Sequence, residues 1–243
     1  MTDFIRKGLV HSIAGVADIA VETHHYGSGL PFDLYRPAGS GRRPAVVFVL
    51  GMRDPGAIAF FGAPFKDCQS YIDWARLVAA SGLVAITYRN EDVGDVTALL
   101  AHLRHHADAL GLDGRIAIWA ASGHGPFALW LLAHEPIACA ALLYPYTLDV
   151  AAQAAAMHFA APTVTIGELP RVPLLVVRAG RDTTPVLNER LDRFVIDARV
   201  AGVPIDLVEH ADGPHAFDIV DASPKSREVI DQVLEFLRRA LPI

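Results

Sequence analysis

The chain has 243 residues, 52% of them apolar and 20% charged, with a formal net charge of −6. That is the composition of a globular protein with ample core, and it excludes a disordered chain. The acidic balance offers no footprint for nucleic acid or an anionic membrane surface, and no apolar run has the length of a membrane span.

Residues 1–12 lack a positive segment followed by an apolar core, so no signal peptide is expected. Cys68 and Cys139 have no metal-type spacing. Cys139 lies in an apolar run and reads as a buried small hydrophobe, so a cytoplasmic protein without disulfides is expected.

In chain order, residues 19–26 and 31–35 read as two strands around Gly27-Ser28-Gly29, a hairpin at a sheet edge. Residues 45–50 form a continuous apolar run of the kind covered on both faces, ending in the loop Gly51-Met52-Arg53-Asp54-Pro55-Gly56. Tyr71, Trp74, Leu77 and Val78 give a helical stripe stopped by Gly82. Residues 83–88 are the next buried strand, followed by Arg89-Asn90-Glu91-Asp92. Val96, Leu99, Leu100, Leu103, Ala107 and Leu110 predict an amphipathic helix ended by Gly111.

Residues 116–120 predict a short buried strand, and Phe127, Trp130 and Leu131 mark one face of a helix that follows almost at once. Residues 138–144 are another apolar strand. The segment 146–171 is irregular, with a weak helix near 150–160. A strand at 174–177 leads to Thr184-Pro185, which reads as the cap and first-turn proline of a helix buried through Leu187, Leu191, Phe194, Val195 and Ala198. A strand at 205–208 and a helix after Ser223-Pro224, buried through Ile230, Val233, Leu234 and Leu237, close the chain. This alternation predicts one α/β domain: a mostly parallel twisted sheet of about eight strands with helices on both faces, and a small cap at 146–171.

Between the strand at 116–120 and its helix lie only Ala121, Ser122, Gly123, His124 and Gly125. A strand turning directly into a helix at a serine among small residues is the pattern of a nucleophile elbow. Its strained serine stands clear at the carboxyl edge of the sheet. A serine hydroxyl needs a base, and the base needs an orienting group. Later strand-end loops supply Asp182 in Ala179-Gly180-Arg181-Asp182, and His210 and His215 in the loop 209–217. The order Ser, Asp, His is that of α/β-hydrolases.

On these residues the chain resembles an α/β-hydrolase of the dienelactone hydrolase-like branch, from the first paired strands to the final helix. The resemblance implies Ser122 as nucleophile, Asp182 as orienting acid and His215 as general base. His215 fits the G-x-H-x-F pattern through Gly213, His215 and Phe217, whereas His210 comes early, at the strand end. It also implies an oxyanion hole from the amides of Gly123 and Met52 (Arg53 if the loop shifts by one). The sequence departs from G-x-S-x-G at Ala120 and His124. Alanine is a mild change. His124 crowds the strand–helix contact unless Gly125 relieves it, and it brings an imidazole beside the oxyanion site.

Simpler roles exist for each residue. Ser122 is also a fit for an N-cap, Asp182 for a turn acid before Thr184, and His215 for a loop histidine held by Asp212 or Asp218. All three holding together is the least expected outcome. His102, His105 and His106 fall off the apolar stripe and read as a solvated face, with no acid or cysteine completing a metal site. Arg53 and Arg89 follow strands and are candidates for an anionic substrate group, as is His124 for substrate contact; local pairing of the arginines with Asp54, Glu91 or Asp92 is the commoner fate. Trp119 and Trp130 read as core.

The expected function is a serine hydrolase of an ester, lactone or thioester of a small soluble substrate, working through an acyl-enzyme without metal or organic cofactor. Partners reduce to that substrate and, at most, a second copy of the chain. An oligopeptidase-like hydrolase and a non-catalytic scaffold that binds a small ligand are the alternatives. Oligopeptidases usually carry a gating domain that is not expected here, and only His124 supports the second.

Overall fold

The apolar runs assemble into one eight-stranded sheet in the computed structural model, which describes residues 6–27 and 29–243. Ser28, in the expected hairpin turn, lies outside them. Strands β1 (Ala20–Tyr26) and β2 (Leu30–Arg36) form the antiparallel hairpin, and β2 continues antiparallel to β4 (Val84–Tyr88). From there the sheet is parallel: β4, β3 (Arg43–Phe48), β5 (Leu112–Ala121), β6 (Cys139–Leu143), β7 (Leu174–Ala179) and β8 (Ile205–His210). Every residue of β4 and β6 is buried. This is why these strands read as unbroken apolar runs, each fully buried Val, Ile or Leu contributing about 1.5–3 kcal/mol. The edge strand β1 alternates instead.

Between β3 and β5 the order of winding across the sheet reverses: from β3 the chain leaves to β4 on one side, and from β4 it returns to β5 on the other. Loops leaving the carboxyl ends of β3 and β5 therefore diverge and leave a crevice between them. The loop after β3 carries Met52 and Arg53, and β5 ends at the elbow.

The helices are α1 (Asp54–Phe61), α2 (Gln69–Ala80), α3 (Asp95–His105), α4 (Gly125–His134), α5 (Ala151–Ala156), α6 (Leu187–Val200), α7 (Phe217–Val220) and α8 (Pro224–Ala240). Several differ from expectation. Residues 54–56 open α1 and are not loop. Pro55 sits in the first turn, where its missing N–H costs nothing, and the run Ala57-Ile58-Ala59-Phe60-Phe61 has no polar face to betray a period. Helix α3 ends a turn early; Leu110 stays buried, but in the turn before Gly111. Helix α6 starts at Leu187, after Val186 in the left-handed region (φ 58°), because Asp182 and not a Thr184 cap organises the turn. Helix α4 is buried nearly all round, with Trp130 half-buried. Helix α8 starts as read, Ser223 Oγ accepting the Ser226 N–H at 3.2 Å. Both cysteines are free and buried. No helix among the described residues is long and apolar enough to cross a membrane.

In the segment 146–171, α5 follows a short 3-10 turn, Leu148–Val150. Tyr146, Val150, Ala154 and Leu187 form a small cluster of their own apart from the main core, with Phe159 packed against it.

Candidate active site

Strand β5 runs extended through Ala121, and Ser122 then enters the left-handed region at φ 53°. A non-glycine residue held there costs about 1–3 kcal/mol and persists only where its surroundings over-determine it. Here they do. A Cβ on Gly125 would collide with the Tyr146 carbonyl oxygen, and one on Gly123 would fall 2.6 Å from the Phe159 ring. The turn must therefore be small at 123 and 125, which leaves position 124 free to carry a side chain.

Ser122 Oγ lies 2.7 Å from Nε2 of His215, whose Nδ1 bonds Oδ2 of Asp182. The Asp182 side chain is 1% exposed and that of His215 31%. Asp182 divides its oxygens, since Oδ1 accepts the Thr184 N–H at 2.8 Å. Burial alone would raise the Asp182 carboxyl, but the hydrogen bond and charge of His215 and the Thr184 amide outweigh it and hold it below its ordinary value. Asp182 is thus both the turn acid and the partner of His215. Asp212 pairs with Arg181 at the surface. Asp218 accepts from Trp74 Nε1 at 2.7 Å and Tyr144 Oη at 2.8 Å, and burial raises its carboxyl above the usual range despite those donors. Sequence reasoning missed Tyr144, whose ring packs on His215 with centroids 4.7 Å apart. A tyrosine ending an apolar strand carries no signal of such a contact. His210 ends β8, as expected, and bonds Ser226 Oγ at 2.9 Å.

His124 does not crowd the contact between β5 and α4. Its ring stands edge-on to Phe65 and Phe159, 4.7 and 4.8 Å between centroids, and Nδ1 accepts the Gly51 N–H at 2.7 Å. Burial pushes this imidazole down to about 3, so it is neutral when folded and, unfolded, protonates near 6.5. Below pH 6.5 the unfolded chain therefore binds the extra proton. The stability from this site is complete above pH 6.5 and declines as pH falls towards 3, by about 1.4 kcal/mol per pH unit. Denaturant titrations from pH 7 to pH 4 should show His124→Gln with a shallower fall in unfolding free energy than wild type; parallel slopes would mean that the ring titrates normally.

Two peptides, Gly51–Met52 after β3 and Ser122–Gly123 at the elbow, are pinned by their carbonyls. The Gly51 carbonyl accepts the Ala160 N–H at 2.6 Å, and the Ser122 carbonyl accepts the Tyr146 N–H at 3.0 Å. In a trans peptide the N–H points opposite its carbonyl. The directions of the Met52 and Gly123 amides are therefore set by residues of the 146–160 segment.

A cavity of about 340 Å³ opens beside Ser122 and His215, walled by Phe60 and Phe61 of α1, Tyr71 and Trp74 of α2, Trp119 of β5, and Phe65 from the turn before α2. His124 also lines it. Met52 and Arg53 line a neighbouring groove that shares Phe60, and Arg53 forms no ion pair among the described residues. Arg89 is not brought to the cavity: its guanidinium pairs with Asp54, which also accepts the Asn90 N–H at 3.1 Å. Trp119 is core, as read, but also cavity wall. His102 packs edge-on to Phe32, whereas His105 and His106 are exposed.

No protein-family model matches the chain, and no curated protein matches its sequence. Solved structures do match. A thermostable esterase from Pseudomonas putida is 17% identical with a TM-score of 0.72, over 94% of this chain and 85% of that one. An esterase from Pyrobaculum calidifontis is 20% identical with a TM-score of 0.69, over 91% and 85%. Carboxyl esterase 2 from the mycorrhizal fungus Tuber melanosporum is 15% identical with a TM-score of 0.68, over 97% and 91%. At these identities the likeness is one of fold. The chain has the α/β-hydrolase fold, its eight-stranded, mostly parallel sheet carrying Ser122, Asp182 and His215 at the ends of β5, β7 and β8.

Proposed function

We propose that the protein is a serine hydrolase of small esters, lactones or thioesters, of the dienelactone hydrolase-like kind. The observation that carries this reading is the 2.7 Å contact between His215 Nε2 and the hydroxyl of Ser122, a serine held at positive φ. A binding module has no use for that strain or for a buried carboxylate behind the imidazole.

In this reading Ser122 Oγ attacks the carbonyl carbon while its proton passes to His215 Nε2. Asp182 fixes the imidazole with Nδ1 protonated and stabilises the imidazolium. Charge developing on the carbonyl oxygen is met by the Gly123 and Met52 amides, donors of this kind being worth about 3–4 kcal/mol each. Collapse expels the alcohol or thiol, which takes the proton from Nε2. Water then gives a proton to His215 Nε2 and attacks the acyl-enzyme, and collapse releases the acid as that proton returns from His215 to Ser122 Oγ. No step calls for a metal or organic cofactor.

The segment 146–171 acts here as a short cap that lines the cavity with Tyr146, Met157 and Phe159 and leaves it accessible. Compact substrates follow from this. Esterases among the structural neighbours support the reaction class, and the likeness to them raises the ester reading above the oligopeptidase one. The test is a p-nitrophenyl ester series from acetate to octanoate. Turnover should be highest for the short acyl groups and fall by about tenfold or more towards octanoate as the chain outgrows the cavity. No turnover of any member would refute the reading.

A further inference from the structure

Both candidate oxyanion amides depend on one stretch of chain that supplies no member of the triad. The Tyr146 N–H holds the Ser122 carbonyl at 3.0 Å and the Ala160 N–H holds the Gly51 carbonyl at 2.6 Å, one bond from each end of residues 146–160. No peptide among the described residues is cis. Each bond therefore turns the N–H of its peptide, that of Gly123 or Met52, to the opposite side.

Packing repeats these contacts. The Phe159 ring lies against Gly123, where an added Cβ would fall 2.6 Å from it, and stands edge-on to His124, the acceptor of the Gly51 N–H. The Tyr146 carbonyl packs so close to Gly125 that a Cβ there would come within 2.2 Å of its oxygen. Phe159 and Ala160, consecutive in the chain, thus reach both oxyanion peptides at once.

The segment is docked by the buried cluster of Tyr146, Val150, Ala154 and Leu187, the last from the first turn of α6. Phe159 packs on this cluster and on the main core, joining the two. An element held by so few buried side chains opens at a lower free energy than the sheet that carries the triad. The described wall of the cavity includes Tyr146, Met157 and Phe159 but none of Val150, Ala154 and Leu187.

We propose that docking of residues 146–160 through this cluster assembles the oxyanion hole, so that Val150 and Leu187, which stand outside the cavity wall, are positioning residues for the Met52 and Gly123 amides. The proposal rests on reading Ser122 as the nucleophile and those amides as its oxyanion donors. When the segment lifts, both carbonyls lose their donors and the amides lose their aim, while β5, β7 and β8 still hold Ser122, Asp182 and His215 in place.

The test compares p-nitrophenyl acetate with O-p-nitrophenyl thionoacetate, in which sulfur replaces the carbonyl oxygen. Both release p-nitrophenolate and both need Ser122 and His215, but sulfur is a weak hydrogen-bond acceptor and gains little from the amides. In the double variant Val150→Ala, Leu187→Ala, kcat/KM for the ester should fall by about tenfold or more, and that for the thionoester by no more than about twofold. Residue-resolved hydrogen exchange should show the Tyr146 and Ala160 amides less protected. Val150→Ala alone should show the same pattern more weakly, and it serves if the double variant does not fold. An equal fall for both substrates would place the loss in the triad and overturn the proposal. An unchanged ester rate would overturn it too, as would unchanged exchange at the two amides, because the cluster would then not be what docks the segment. If the wild type turns over neither substrate, the nucleophile reading fails by itself. Exchange at the Tyr146 and Ala160 amides then decides the docking separately: faster exchange in the variants supports it and unchanged exchange overturns it.

Discussion

Replacing Ser122 by alanine should lower kcat/KM for p-nitrophenyl acetate by about 10⁴–10⁶-fold while leaving the fold intact. The size follows from the geometry. The hydroxyl 2.7 Å from His215 Nε2 is the attacking atom, and nothing else on the elbow can replace it. Gly123 has no side chain, and the imidazole of His124 is neutral and tied to Gly51. Stability should change little, by about 1 kcal/mol, because one half-buried hydrogen bond is lost while alanine keeps the same Cβ at the same φ. Stopped assays and a denaturant melt on one preparation separate the two quantities. A loss below tenfold would place the chemistry elsewhere.

The second large effect runs against the motif. His124→Gly restores the glycine that G-x-S-x-G calls for, yet it should destabilise the protein by about 3–5 kcal/mol. The substitution empties a slot walled by Phe65, Tyr71 and Phe159 and leaves the buried Gly51 N–H without an acceptor. It also frees the backbone of a turn that already holds Ser122 in strain. Because the Gly51 N–H anchors the loop that carries Met52, kcat should fall by about tenfold or more, even at temperatures where the variant is folded. Denaturant melts measure the first effect, and saturation kinetics the second. Should His124→Gly fail to fold, His124→Gln keeps a ring-sized polar side chain and tests the same contact. A glycine variant as stable and active as wild type would show that neither the filled slot nor the Gly51 contact matters.

The parallel strands were legible because burial on both faces writes them as apolar runs, and the strand-end loops were legible because this topology collects polar residues there. Hence Ser122, Asp182 and a histidine of the loop 209–217 could be grouped before any geometry was known, and the resemblance to the G-x-H-x-F pattern separated His215 from His210. Local turn chemistry misled twice. Asp54-Pro55-Gly56 reads as a loop but opens a helix with no polar face, and Thr184-Pro185 reads as a helix start where the Asp182 carboxylate has taken the Thr184 amide. Contacts between distant backbone atoms left no trace at all. The acceptor for Gly51 N–H lies 73 residues away, and the Ala160 and Tyr146 amides that fix the Met52 and Gly123 peptides come from a segment that reads only as irregular and alanine-rich. For Arg89 the sequence left a substrate contact open but favoured local pairing, and the buried Asp54 carboxylate does claim it.

The central claim is that Ser122 is an activated nucleophile. It is tested most directly by treating the wild-type protein with a fluorophosphonate at neutral pH and mapping the adduct by peptide mass spectrometry. The expected result is one adduct per chain, on Ser122, formed within minutes and absent from Ser122→Ala. A wild-type protein that stays unlabelled, or that carries the adduct on another residue, would contradict the account.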